Sequence, residues 1–291
     1  MKEIVVISGK GGTGKTSVTA AFATLAQRVV LVDGDVDAAD LHLVLSPAIE
    51  ETHDFFGGRQ ARIIADRCRN CGACVEFCRF SAVRHDTHGY HIDPLACEGC
   101  GVCAHLCPHH AIAFEATCNG QWFRSSTRFG PLVHARLGIA EENSGKLVAL
   151  IRREARSCAD AAQADLLLVD GPPGIGCPVI ASLTGAGHVV IVAEPTVSGR
   201  HDLDRVITLT THFHVSTSVI INKADLYPEG AVEIAHTALA RGVGVLGRIP
   251  YDPAITQAQL VGQSVIEYQD GAVSQALREI WARLCTQHLK E

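Results

Sequence analysis

Eight of the twelve cysteines in this chain of 291 residues lie in two short repeats whose spacing suits iron-sulfur chemistry. The first repeat, CRNCGACVEFCRFSAV, begins at Cys68, and the second, CEGCGVCAHLCPHHAI, begins at Cys97. Three thiolates at three-residue steps can wrap one four-iron cluster, while the fourth thiolate comes from the other repeat. We therefore predict two [4Fe-4S] clusters. Their ligands would be Cys68, Cys71, Cys74 and Cys107 for the first, and Cys97, Cys100, Cys103 and Cys78 for the second.

The two repeats closely resemble those of bacterial two-cluster ferredoxins. Zinc is a poor alternative, because zinc sites typically use two Cys-x-x-Cys pairs or Cys/His pairs and need no array of eight thiols. Arg79 stands where the first repeat would usually carry a proline. This departure affects the expected geometry of the loop but not the expected cysteine ligands. A purely structural role for both clusters is the alternative to electron transfer.

A second motif, near the N-terminus, contains residues that bind phosphate. A short apolar run at residues 3–8 predicts a buried strand, and a helical pattern follows the motif. Glycines let backbone N–H groups curl around a phosphate, and the helix N-terminus adds partial positive charge. Lys15 is expected to reach the β and γ phosphates, and Thr16 to offer its hydroxyl to Mg²⁺. The predicted nucleotide-binding residues here are Gly9, Lys10, Gly11, Gly12, Thr13, Gly14, Lys15, Thr16 and Ser17.

Lys10 indicates which class of P-loop protein this loop is typical of. The sequence GKGGTGKT resembles the deviant Walker A motif of the MinD/ParA/Mrp superfamily of P-loop ATPases, which includes the nitrogenase iron protein. In that family, the extra lysine reaches across a face-to-face dimer to the partner's nucleotide. The resemblance therefore implies a protein that hydrolyses ATP to ADP and forms a homodimer on ATP binding, with Lys10 coupling the two events.

Acidic residues follow two further apolar runs. Carboxylates at strand ends beside a phosphate loop lie where Mg²⁺ and the attacking water are expected. By resemblance to the family, Asp33 would support the Mg²⁺ shell, Asp35 would orient or activate water, and Asp170 would be the Walker B aspartate. Gly171 stands where the family commonly has Ser or Thr. The predicted catalytic residues are Lys10, Lys15, Asp35 and Asp170.

Two later positions are expected to contact the base. Asn222 begins the tetrapeptide NKAD and, by resemblance, hydrogen-bonds the adenine edge. Pro250 belongs to a segment that resembles the base-flanking loop of relatives. NKAD is also similar to the guanine-reading N-K-x-D of GTPases, so the preference for ATP over GTP depends on Lys10.

The elements that must position these residues alternate between apolar strands and helical patterns. They predict an α/β fold: a doubly wound, mainly parallel sheet of the P-loop NTPase type, with an inserted small α+β ferredoxin-like domain. The predicted boundaries are 1–57 and 119–291 for the ATPase domain and 58–118 for the insertion. A helix is expected from about 143 to 157. The helical pattern at 272–289 is interpreted as core packing, because its polar side is not enriched in the Lys and Arg of a membrane-binding helix.

Composition restricts the partners. Formal net charge is -6, so no basic field exists to hold a nucleic acid. No apolar run approaches the roughly 20 residues that cross a bilayer, and no signal-peptide pattern opens the sequence. We expect a cytoplasmic protein without a membrane or nucleic-acid partner.

Four cysteines lie outside the repeats. Cys118, Cys158 and Cys285 are interpreted as buried structural thiols. Cys177 differs, because it follows Asp170 by seven residues, and the nitrogenase iron protein has a similarly placed cysteine that holds a cluster shared between subunits. We therefore hypothesise that two Cys177 residues of a dimer bind a bridging metal or cluster. The alternative is that they only lie in the dimer interface.

Three functions are considered, and they differ in how many of these motifs they explain. ATP-gated electron transfer to a redox partner protein uses the phosphate loop and both clusters. The alternative is an Mrp-type iron-sulfur carrier that delivers a cluster to an acceptor protein, although the C-terminal C-x-x-C of such carriers is absent. A ParA-like positional switch would leave eight cysteines unexplained.

Overall fold

The computed structural model describes residues 1–138 and 144–289, and these form two compact units. The first unit comprises Met1–His53, Trp122–Arg136 and the described residues from Ser144 onward. The second comprises Asp54–Gln121 together with residues 137 and 138. The predicted ends of the insertion, residues 58 and 118, lie inside the segment Asp54–Gln121.

A nine-stranded sheet forms the centre of the first unit. Its strands are β1 (Lys2–Ser8), β2 (Val29–Asp33), β3 (Ala48–Phe55), β8 (Gly120–Thr127), β9 (Gly130–Leu137), β10 (Leu166–Pro173), β11 (His188–Ala193), β12 (Ser216–Asn222) and β13 (Gly244–Ile249). The four strands numbered between β3 and β8 belong to the second unit. The strand order is β13-β12-β11-β1-β10-β2-β9-β8-β3. The pairs from β13 to β9 are parallel, and Val5 of β1 lies between Val169 and Val189. The predicted α/β fold with a mainly parallel sheet is confirmed.

Helices cover this sheet because β1, β2, β10 and β11 are apolar on both faces. They are α1 (Lys15–Leu25), α2 (Leu41–Leu45), α5 (Ser144–Ala161), α6 (Cys177–Leu183), α7 (Val197–His212), α8 (Pro228–Ala240), α9 (Ala254–Leu260), α10 (Val265–Tyr268) and α11 (Ala272–Leu284). Helix α1 packs with α2, α10 and α11, while α5 packs with α6 and α7 with α8.

The last helical pattern lies in the core, as predicted. Val273, Leu277, Ile280 and Leu284 are buried, and the ring of Trp281 lies 5.0 Å from that of Phe22. A π-helical segment, Cys285–Leu289, continues from α11. None of the helices in the described part of the chain is long and apolar enough to cross a membrane.

Two sequence-based boundaries need correction. Strand β10 does not end at the aspartate but continues to Pro173, so Asp170 lies within the strand, paired to Asp33 of β2. Helix α5 continues to Ala161, four residues beyond the predicted end near 157. Buried Ala155 and Ala159 continue its apolar side, which explains the extra turn. Its predicted start at residue 143 lies outside the described residues.

The second unit consists of short elements. Strand β4 (Gly58–Ile63) pairs antiparallel with β7 (Ile112–Thr117), and β5 (Val83–Asp86) pairs antiparallel with β6 (Gly89–Ile92). Helices α3 (Ala73–Phe77) and α4 (Val102–Leu106) contact each other. Each begins after a glycine with positive φ, Gly72 at 78° and Gly101 at 74°, a conformation that other residues rarely adopt. The duplicated sequence thus folds into duplicated loop–helix segments.

Candidate functional site

The phosphate loop joins β1 to α1. Gly12 and Gly14 have φ of 78° and 90°, so the loop uses the left-handed conformations that glycine allows. Lys15 is buried at the start of α1, with its Nζ 3.1 Å from Asp170 Oδ1 and 3.5 Å from Asp35 Oδ2. Burial alone would lower the pKa of Lys15, but Asp170, Asp35 and Asp33 raise it overall. The loop therefore holds a fully charged ammonium where a phosphate would lie.

Asp170 is the buried centre of the site. Thr16 Oγ1 donates a hydrogen bond to Asp170 Oδ2 at 2.7 Å, and Thr19 Oγ1 donates to Oδ1 at 2.9 Å. These contacts fix the carboxylate beside the Thr16 hydroxyl. A P-loop Thr and a strand-borne Asp in contact are the oxygen pair that holds Mg²⁺ in P-loop NTPases, so the donor set fits that ion. Thr19 was missed by the sequence analysis, although it lies one helical turn after Lys15.

Asp33 organises the loop that follows β2. It is fully buried, Oδ2 accepts a hydrogen bond from Leu41 N at 3.0 Å, and Oδ1 accepts one from Asp35 N at 3.3 Å. Burial and the neighbouring Asp170 raise the pKa of Asp33 well above the ordinary value for an aspartate. The described contacts of Asp33 are thus to backbone amides, and its role in the Mg²⁺ shell remains a prediction.

Asp35 faces the cleft. Its half-buried carboxylate lies beside Lys15, and its pKa is raised by burial and by the charges of Asp170 and Asp37, which Lys15 offsets only in part. A carboxylate at this place, with a pKa above the ordinary range, is suited to accept a proton from water. The structure brings Lys15, Thr16, Asp35 and Asp170 together, as the sequence analysis expected.

Lys10 is folded back onto its own chain. Its Nζ lies 3.4 Å from Glu194 Oε2 and donates to Thr196 Oγ1 at 3.3 Å and to Ser198 Oγ at 3.2 Å. The other oxygen of Glu194 accepts a hydrogen bond from Lys223 Nζ, so one carboxylate pairs with two lysines. Glu194 was not among the predicted site residues. It could have been predicted as one, because it is an acidic residue directly after the buried strand β11.

The cleft has a volume of about 560 Å³, within the range for a small-molecule site. Its lining includes residues 11–16 of the phosphate loop, Ser17, Asp35, Asn222 and Pro250. Gly9 and Lys10 line a separate small pocket instead. The amide of Asn222 donates to Thr13 O at 2.7 Å and accepts from Lys223 N at 3.0 Å. Because an amide group has two N–H donors, one remains for a ligand. Asn222 therefore braces the phosphate loop, and its contact with adenine remains a prediction.

The cysteines of the two repeats line two cavities in the second unit, and each cavity takes cysteines from both repeats. Cys68, Cys71, Cys74 and Cys107 line the first cavity, and Cys97, Cys100, Cys103 and Cys78 line the other. Burial and the neighbouring Cys68 and Cys107 raise the pKa of the Cys74 thiol. Within residues 1–138 and 144–289, no three His, Cys, Asp or Glu side chains converge as one metal ion would require.

The remaining cysteines are less uniform than predicted. Cys118 is exposed, so its interpretation as a buried thiol was wrong; it lies just after β7, where its Sγ donates to Gly120 O at 3.5 Å. Cys158 and Cys285 are half-buried. Cys177 is exposed and is the first residue of α6. Its role as a bridging ligand remains a hypothesis.

Comparison with known proteins identifies the family. A model of the CobQ/CobB/MinD/ParA nucleotide binding domain matches residues 4–265. The chain belongs to this family. It is a P-loop ATPase of the MinD/ParA type, and the fold and the Lys15–Asp170 site described above agree with that assignment.

Relatives of this MinD/ParA-type ATPase differ in how much they share with it. An uncharacterized protein of Methanocaldococcus jannaschii is 29% identical over 289 residues, which cover 97% of this chain and 96% of the relative. The iron-sulfur cluster carrier protein of Pyrococcus horikoshii is 25% identical over 141 residues, 44% of this chain and 47% of the carrier. The solved structure of the septum site-determining protein MinD of Pyrococcus horikoshii, complexed with Mg-ADP, has a TM-score of 0.60 at 18% identity, covering 100% of this chain and 99% of that one. This last likeness shows the fold.

Gly171 of this MinD/ParA-type ATPase, where the resemblance implies a Ser or Thr, is closely packed against β1. A Cβ at Gly171 would lie 2.7 Å from Ile7 Cγ2 and 3.1 Å from Val6 O of the neighbouring strand. Such distances leave no space for a side chain unless β1 moves. The position beside Asp170 can therefore contribute only backbone groups to a ligand.

Proposed function

We propose that this ATPase couples nucleotide-driven closure of a homodimer to electron transfer through two [4Fe-4S] clusters held by its second unit. The observation that carries the proposal is the arrangement of the cysteines, four to a cavity and drawn from both repeats. A chain that only hydrolysed ATP would have no use for this arrangement. The P-loop site belongs to the same chain, so one polypeptide would carry both activities.

The nucleotide chemistry is proposed for residues already in contact. Lys15 would bind the β and γ phosphates, and Thr16 and Asp170 would hold Mg²⁺ between them. Asp35 would orient the attacking water and accept its proton. The Pyrococcus horikoshii MinD, which shares the fold, was solved with Mg-ADP, and this supports the same ligand for the present cleft.

Dimer closure is proposed to depend on Lys10. In the structure its ammonium is occupied by Glu194, Thr196 and Ser198 of the same chain. To reach a partner's nucleotide it must exchange these contacts for phosphate oxygens. Glu194 would still pair with Lys223 after the exchange, so this half-buried carboxylate would not be left without a cation.

The thiols fit iron-sulfur clusters better than single ions. One ion draws its ligands to a common point, and the described residues offer no such point. A [4Fe-4S] cluster would be held by four cysteine thiolates, one for each iron, and each cavity is lined by four cysteines. When bound, the clusters would supply one-electron redox centres.

A cluster carrier is the second candidate. It is favoured by the partial match to the iron-sulfur cluster carrier protein of Pyrococcus horikoshii, and exposed Cys177 would be available as a ligand for a transferable cluster. The acceptor would then be an apoprotein rather than a redox partner. In both cases we propose a cytoplasmic protein without a nucleic-acid partner, in keeping with its net charge of -6.

Anaerobic EPR spectroscopy of the dithionite-reduced protein tests the proposal, with and without ATP or a non-hydrolysable analogue. We expect two interacting [4Fe-4S]⁺ signals, and faster oxidation by a dye acceptor when nucleotide is present. The Lys15→Ala variant should show the signals without the response to nucleotide. Redox behaviour indifferent to nucleotide, with iron passing to an apo-ferredoxin, would favour the carrier. A protein that binds no iron after reconstitution would refute both.

A further inference from the structure

We propose that an acidic electron-carrier protein docks on one side of the second unit, at a basic rim formed by Arg67, Arg69 and His109. The inference rests on the proposed electron transfer and adds to it the chemistry of the partner and the cluster site that meets it. The rim borders the cavity lined by Cys68, Cys71, Cys74 and Cys107.

The rim belongs to the cavity and is accessible. Arg69 and His109 line the same cavity as the four cysteines, and both are exposed. Arg67 directly precedes Cys68 and is exposed as well, as is Cys71. A partner that covered the rim would therefore come close to the proposed cluster, and a short distance is what electron transfer needs.

The rim arginines differ from the other arginines of this unit. Among the described residues, neither Arg67 nor Arg69 takes part in an ion pair or a ring contact. The other four each have one: Arg62 pairs with Glu115 at 3.8 Å, Arg84 pairs with Asp93 at 3.2 Å, Arg59 lies 5.0 Å over Phe114 and Arg79 lies 5.5 Å over Phe80. The neighbouring acid, Asp66, is exposed and offsets one of the two charges. The rim thus offers arginines that are free to pair with a partner's carboxylates.

The lining of the other cavity includes an acidic residue in place of Arg69. In the aligned repeats, Glu98 occupies the place of Arg69, directly after the first cysteine. Glu98 lines that cavity together with Phe77, Phe80 and Val102, and all three of these apolar residues are exposed. The two repeats therefore keep the same cysteines but place opposite charges directly after the first of them. Ligation by itself does not require this difference, whereas recognition of an acidic partner at one of the two sites does.

An acidic protein fits the rim better than a larger polyanion. Nucleic acids and anionic membranes are held by many cations, whereas this rim has two arginines on a chain with a net charge of -6. A few arginines around an exposed redox site suit a small, transient interface, in which charges steer association and set the salt dependence of binding. We therefore assign the rim to an acidic one-electron carrier.

The test measures binding of a flavodoxin, an acidic electron carrier without iron, to the iron-loaded full-length protein by surface plasmon resonance. Arg69→Glu and Glu98→Arg form a matched pair, because they reverse charge at equivalent places in the two repeats. We expect Arg69→Glu to weaken binding about 10-fold at low salt and to reduce its salt dependence. Glu98→Arg should leave binding unchanged or strengthen it.

Two outcomes would overturn the inference: no salt-dependent binding by the wild-type protein, or equal effects of the two substitutions. Iron content and the EPR signals of each variant must match the wild type, so that lost clusters are not mistaken for lost docking. If the wild type has no clusters, the proposed function fails. If clusters and nucleotide response are intact but the two variants behave alike, only the docking inference fails.

Discussion

The nucleotide site and the cysteine unit are built in opposite ways. Around the phosphate loop, Lys15, Asp170 and Asp33 are buried and already paired, on a sheet whose central strands are fully covered. In the second unit the buried apolar side chains are Phe55, Ala61, Ala82, Val83 and Ala111, mostly small ones. So small a core gives little stabilisation, and such domains usually depend on metals or disulfides. The first site is made by the fold, whereas we propose that the second unit depends on what its cysteines bind.

We expect the largest difference between the nucleotide site and the cysteine unit in Lys15→Ala, which should lower ATP hydrolysis without lowering iron content. The substitution removes the ammonium that faces Asp170 and would bind the phosphates, so ATP hydrolysis should fall about 1,000-fold. Because the cysteine unit is a separate compact unit, its iron content should not change. A phosphate-release assay and a colorimetric iron assay measure the two. Lys2→Ala is the control, an exposed lysine that lies outside the cleft lining. Loss of iron in Lys15→Ala would mean that the regions are not separable.

Acid should affect the nucleotide site through Asp35. Its raised pKa keeps the carboxyl protonated over more of the acid range, so kcat should fall with decreasing pH before an ordinary aspartate would titrate. Asp35→Asn should lower kcat about 100-fold and remove this acid limb. The pH profile of kcat for both proteins is the measurement. An acid limb of unchanged position in Asp35→Asn would assign the limb to another group.

A ligand substitution tests the dependence of the second unit on its cysteines. Cys74→Ser should lose about half of the iron, because it removes one of four thiols from one cavity only. It should also make the segment 54–121 sensitive to proteases, while ATP hydrolysis stays within about twofold of wild type. Cys118→Ser is the matched control, since Cys118 is an exposed thiol outside both cavities. Full iron content in Cys74→Ser would contradict the assigned ligand set.

The sequence predicted the first region more completely than the second. Apolar runs such as β1 predict buried parallel strands, and the spacing GKGGTGKT positions Lys15 and Thr16 without tertiary information. The contacts of Lys10 could not be predicted from the sequence. Glu194 is 184 positions away in the chain and joins the site only because β11 pairs with β1. The exposure of Cys118 was missed for a similar reason, since a single cysteine after a strand gives no periodic pattern to interpret.

We expect the smallest effect from Glu194→Gln, measured on dimer assembly. This substitution tests whether the contacts of Lys10 within its own chain oppose dimer formation. The substitution removes the charge that holds Lys10 and Lys223, so Lys10 should leave its own chain more readily. Because Lys10 is partly exposed, the gain should be modest, and the dimer formed with a non-hydrolysable analogue should assemble at about threefold lower protein concentration. Sedimentation velocity measures this, with Glu233→Gln, which removes an exposed ion pair to Arg200, as the control. If the dimer were weaker instead, Glu194 would be a residue that positions Lys10 for the partner rather than one that retains it.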